Sequence, residues 1–68
     1  MITLTRLNDT EFVLNCELIE TIQQNPDTTI RLTTGNIYIV KESVDEVVQE
    51  TVRYKRSLFS GMLRRDDL

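Results

Sequence analysis

The chain reads as an α+β module: a small antiparallel β-sheet of four or five strands followed by one C-terminal amphipathic helix. Three observations predict it. Residues 1–40 break into short apolar or alternating runs separated by Asn, Asp, Gly and Pro, which is the pattern of consecutive hairpins. Ser43, Val44, Asp45 and Glu46 then form a capping box, the usual opening of a helix. Beyond that box the apolar residues recur with helical rather than strand period.

Ile2, Leu4 and Leu7 alternate with Thr3, Thr5 and Arg6, so the chain opens with a strand that buries one face. Asn8, Asp9 and Thr10 make the first turn. Residues 11–15 hold Phe12, Val13 and Leu14 in succession, which predicts a strand apolar on both faces and hairpinned to the first. Leu18, Ile19 and Ile22 suit either a short helix or a strand; the turn at Asn25-Pro26-Asp27 follows so closely that a strand is the better reading. Residues 29–33 place Ile30 and Leu32 on one face and Thr29, Arg31 and Thr33 on the other. Gly35-Asn36 supplies the next reversal, and Ile37, Tyr38, Ile39 and Val40 read as a strand covered on both sides. In the helix that follows, Val44, Val47, Val48, Thr51, Val52, Leu58, Phe59, Met62 and Leu63 project within an arc of roughly 160°. Gly61 weakens this helix by about 1 kcal/mol relative to alanine, so fraying or a break is expected at Ser60-Gly61. A helix over residues 44–63 would be about 30 Å long. Strands of five or six residues reach only ~20 Å. Residues 44–52 should therefore pack on the sheet while Leu58, Phe59, Met62 and Leu63 overhang it.

Size and composition narrow the function. At 68 residues the chain makes one domain, and a domain this small is marginal in stability, so a homo-oligomer is expected. The chain has one cysteine and no histidine, which removes an intrachain disulfide, the usual general base and the commonest metal ligand together. A lone thiol and the lack of a signal-like opening point to a cytoplasmic protein, peripheral at the inner membrane face at most. Ser43 beside Glu42, Asp45 and Glu46 has no base to activate it and is better read as a helix cap with dipole-favoured acids. Cys16 is better read as a small apolar residue than as a reactive thiol, and Tyr38 as a core or interface aromatic. No enzyme activity, cofactor or metal site is expected.

Charge carries the one functional signal. Residues 1–52 hold Arg6, Arg31 and Lys41 against nine carboxylates, a balance of −6, whereas residues 53–65 hold Arg53, Lys55, Arg56, Arg64 and Arg65 and no carboxylate, a balance of +5. An acidic body thus ends in a cationic, amphipathic stretch suited to a partner or an anionic surface. The contact candidates are Arg53, Tyr54, Arg56, Leu58, Phe59, Met62, Leu63, Arg64 and Arg65. The acidic body disfavours nucleic acid, which rewards clustered cations.

The runs Met1 to Asn8, Phe12-Val13-Leu14-Asn15, Leu18-Ile19-Glu20, Pro26-Asp27-Thr28, Gly35-Asn36-Ile37-Tyr38, Val40-Lys41-Glu42-Ser43 and Tyr54-Lys55-Arg56 together resemble the FlbD/SwrD family of small flagellar proteins. The resemblance covers residues 1 to about 56, making 1–56 a single family domain and 57–68 a basic amphipathic tail that continues the helix. It implies a cytoplasmic accessory factor that supports stator function and motility through flagellar motor or stator proteins, with inner-leaflet contact as an added attraction. The family offers no catalytic or cofactor-binding residues to carry over. One departure is visible: Asn8-Asp9 stands where the family usually has Asn-Gly, so a loop extending through Thr10 is expected in place of a type I′ turn. Met1 to Arg6 also resembles the opening of the carbon-storage-regulator type of RNA-binding dimer, which leaves a small RNA- or DNA-binding regulator of motility genes as the alternative.

Overall fold

The computed structural model describes the backbone of residues 1–66 and the side chains of residues 1–60. Five strands precede one helix: β1 Ile2–Thr5, β2 Glu11–Leu14, β3 Ile19–Gln24, β4 Thr28–Leu32, β5 Ile37–Val40 and α1 Val44–Asp66. A single turn of 3-10 helix, Cys16–Leu18, links β2 to β3, capped by the Asn15 side chain, which accepts from the Glu17 amide. Leu18 therefore lies in this turn, and the expected strand begins at Ile19. The expected single sheet is divided into two: a β1-β2 hairpin and a β3-β4-β5 meander, every pairing antiparallel.

Two of the three hairpin loops share one design. In the first, the Arg6 amide donates to the Thr10 carbonyl at 2.8 Å and the Asp9 amide to the Arg6 carbonyl at 3.0 Å. In the second, the Leu32 amide donates to the Asn36 carbonyl and the Gly35 amide to the Leu32 carbonyl, both at 2.9 Å. Each loop ends on a residue with positive φ, Asp9 at 70° and Gly35 at 94°. This is the three-residue hairpin loop whose last residue is left-handed. Aspartate tolerates that conformation because its short polar side chain can bond locally, and here Lys41 also forms an ion pair with Asp9. Asn8 accepts from both the amide and the hydroxyl of Thr10. The loop through Thr10 is thus present. At the β3-β4 turn the Asn25-Pro26 peptide is cis, and the Asn25 amide donates to the Asp27 carbonyl at 3.0 Å.

The two sheets meet at one corner. Arg6 bridges to Val40, and the Lys41 amide donates to the Thr5 carbonyl at 2.9 Å. Glu42 completes the join by accepting from both the amide and the hydroxyl of Thr5, each at 2.9 Å. Pairing stops there because the chain turns into the helix one residue later, where the Ser43 hydroxyl accepts from the Glu46 amide at 3.1 Å. Glu46 reciprocates through its carboxylate, which accepts from the Ser43 hydroxyl at 3.3 Å.

The core is drawn from nearly every element: Ile2, Leu4, Leu14, Cys16, Ile30, Leu32, Val40 and Val47 are buried. Phe12, Leu18, Ile19, Ile22, Tyr38 and Tyr54 pack around it. β4 follows the expected alternation, with Ile30 and Leu32 buried between exposed or half-buried neighbours. Two expectations are corrected. β5 is not covered on both faces, since Ile37 and Ile39 are exposed, and β2, apolar on both faces, likewise leaves Val13 exposed. A two-layer protein with one helix has a single covered side for each sheet, whatever the composition of the other. The sheet-facing line of the helix is also narrower than the apolar arc, because Val47 is fully buried and Thr51 and Tyr54 half-buried, whereas Val48 and Val52 are exposed. Ser60-Gly61 does not break the helix, which continues to Asp66.

Candidate contact surface

At 1.5 Å per residue the 23 residues of α1 extend about 34 Å. The strands, four to six residues long, span less than two-thirds of that. The molecule is accordingly elongated, 47 × 23 × 18 Å. Among the described side chains of α1, Tyr54 is the last that packs against the core, and residues 55–60 are exposed.

The nine candidate residues separate into three groups. Tyr54 is half-buried and packs against the core edge. Arg53, Arg56, Leu58 and Phe59 are exposed on the projecting helix, with Leu58 48% and Phe59 63% accessible. Met62, Leu63, Arg64 and Arg65 lie outside the described side chains. Arg53 reaches back one turn to Glu50 at 3.2 Å, while Val52, Lys55, Arg56, Phe59 and Ser60 line a shallow apolar groove. The groove brings in Val52 and Lys55, and Val48 continues the same side toward the body. None of these three was among the nine candidates. The signal for them was the width of the apolar arc, too broad for one sheet face to receive.

Charge is segregated along this helix. Residues 44–52 carry Asp45, Glu46 and Glu50 with no cation, and residues 53–60 carry Arg53, Lys55 and Arg56 with no carboxylate. An acidic helix start and a basic continuation both suit the helix dipole. A second apolar surface lies on the sheet side, where Leu7, Ile37 and Ile39 adjoin Arg6 and Tyr38. There Phe12 stacks on Tyr38 at 5.2 Å between ring centroids, and the Arg6 guanidinium sits 4.3 Å over the Phe12 ring. Tyr38 is thus committed to an internal stack.

The remaining polar groups are structural. Cys16 is a buried free thiol. The Glu42 carboxyl is pushed up by partial burial, but hydrogen bonds from the Thr5 amide, its own amide and the Thr5 hydroxyl outweigh that effect and hold it below its ordinary value. Among the described residues no His, Cys, Asp and Glu side chains cluster as metal ligands, and no helix is long and apolar enough to cross a membrane.

A family described as flagellar and swarming motility proteins, FlbD, matches residues 1–59. No curated protein and no solved structure matches the chain. A match over that much of the chain extends through the whole β body and along the helix as far as Phe59, and the protein belongs to the FlbD family of flagellar and swarming motility proteins.

Proposed function

We propose that this protein is a non-enzymatic accessory factor of the flagellar motor, acting at the cytoplasmic side of the stator by contact through the projecting half of α1. The family supports the motility role. The contact reading is supported by one observation: Leu58 and Phe59 are exposed beside Arg53 and Arg56 on a helix that extends past its own core. Such a surface joins large apolar side chains, which supply the affinity of a contact, to cations that steer it toward an acidic partner. The inner leaflet adds to that steering, since anionic lipid attracts each nearby Lys or Arg by ~1 kcal/mol.

The test is capture of partners from motile cells in mild detergent, using the tagged full chain beside Leu58→Ser and an Arg53→Glu, Arg56→Glu double variant. Stator proteins should be recovered with the parent and lost with both variants. Recovery of RNA in their place, with a steep salt dependence, would replace this reading with a nucleic-acid regulator.

A further inference from the structure

Side chains on two sides of α1 meet different surroundings. Val47 and Tyr54 pack in or against the core, with Thr51 half-buried between them. At about 100° per residue, Val48, Val52, Lys55 and Phe59 fall within an arc of ~60°, centred about 100° around the helix from that packed line. Val52 and Phe59 are exposed at 42% and 63%, and with Lys55, Arg56 and Ser60 they line the shallow apolar groove. The charged groups of its lining are thus two cations, Lys55 within the stripe and Arg56 at its margin.

We infer that the part of this stripe from Val52 to Phe59 lies on an anionic phospholipid bilayer, at the boundary between headgroups and acyl chains. The inference rests on the contact reading above and gives the projecting helix a second face, turned away from Leu58 and Arg53. Charge and the place of Lys55 select the occupant. Residues 53–65 carry five cations and no carboxylate, a field of one sign that draws an anionic surface. A protein seam over the same stripe would enclose Lys55 among apolar groups, where its ammonium must leave water. At the lipid boundary the stem of Lys55 lies along the acyl chains while its ammonium reaches the phosphates, and Arg56 does the same from the margin. Fluid chains also fill a shallow groove without a matching side chain. The body is placed about 100° around the helix, so it sits beside the lipid plane and not beneath it. Asp45 marks the limit of the contact. It shares this side of the helix but lies ~21 Å before Phe59 along the axis, so the helix meets the surface at Phe59 and tilts its acidic start away.

Flotation of the purified full chain with vesicles tests it, using phosphatidylcholine alone and phosphatidylcholine mixed with phosphatidylglycerol. The chain should float with the mixed vesicles at low salt, stay behind with phosphatidylcholine alone, and be released as salt is raised. Lys55→Gln with Arg56→Gln should weaken binding about thirtyfold, since an anionic surface favours each nearby cation about fivefold. Val52→Ser with Phe59→Ser should weaken it about tenfold at unchanged circular dichroism, because both side chains are exposed in the free protein. Leu58→Ser should float like the parent while losing stator capture, so that either reading can fail and leave the other standing. Absence of binding to the mixed vesicles would overturn the inference, as would equal binding to both kinds. Undiminished binding by the double serine variant would overturn it too, by showing that the cations alone hold the chain. Self-association without lipid, abolished by the same two serines in sedimentation equilibrium, would make the face an interface between copies and overturn the lipid assignment.

Discussion

Val47 and Val48 are adjacent in sequence and face different media, one with no accessible surface and the other 45% accessible. A carboxylate at Val47 has no partner within the core, and an isolated buried charge costs several kcal/mol against a total stability of about 5 kcal/mol. Val47→Asp should therefore leave the chain unfolded at room temperature, while Val48→Asp changes stability by about 0.5 kcal/mol or less; chemical denaturation in dilute solution distinguishes the two. Glu42 makes a second residue-level test. Its carboxyl is held below its ordinary value of 4.5, so the stability it contributes is present above that pH and is lost as pH falls through the folded-state value. Glu42→Gln keeps an acceptor for Thr5 but loses the charge, and should cost about 1 kcal/mol near neutrality. The parent and variant stabilities should converge as pH falls through the folded-state value, which lies below 4.5, and a constant gap at all pH values would show that the Thr5 clamp does not depend on ionisation.

At the scale of elements, what was legible in the residues was local. The turn chemistry at Asn8-Asp9, Asn25-Pro26 and Gly35, the alternation around Ile30, and the Ser43 capping box each mark their elements, because a turn or cap is decided by a few neighbouring side chains. Coverage was not legible. Val13, Ile37 and Ile39 have the composition of a doubly buried strand, and Val48 and Val52 that of a docked helix, but exposure depends on how many layers the whole chain can supply. The way the two sheets are joined was hidden for the same reason, since it depends on a Thr5–Glu42 contact 37 positions apart. Of the contact candidates read from the residues, Arg53, Arg56, Leu58 and Phe59 are exposed on the helix, while the packing of Tyr54 against the core edge is tertiary and was not legible. Two predictions belong here. Ser43→Ala removes the hydroxyl that accepts from the Glu46 amide and should cost about 1 kcal/mol in thermal or chemical unfolding. Deleting residues 57–68 removes, among the described side chains, only the exposed ones of 57–60, and should shift the melting temperature of the dilute protein by less than about 4 °C, the change that roughly 1 kcal/mol would produce. A larger drop would mean that the end of the helix completes the core.

The whole molecule has a radius of gyration of 13.7 Å. A compact chain of this length would have one near 11 Å. That excess is the projecting helix, so the shape separates a packed body from a helical extension, and the charge follows the same division, with an acidic body and a basic extension. The separation predicts that function and stability can be lost independently. In cells lacking the native gene, the chain without residues 57–68 should accumulate as a folded protein yet fail to restore swimming or swarming. Arg64→Glu with Arg65→Glu should act in the same direction by reversing the charge of the tail. Val47→Asp should also abolish motility, but through loss of the protein itself, which an immunoblot would reveal. Full swarming by the truncated chain at normal abundance would place the function in the body, and the exposed Leu7, Ile37 and Ile39 surface would then be the face to test.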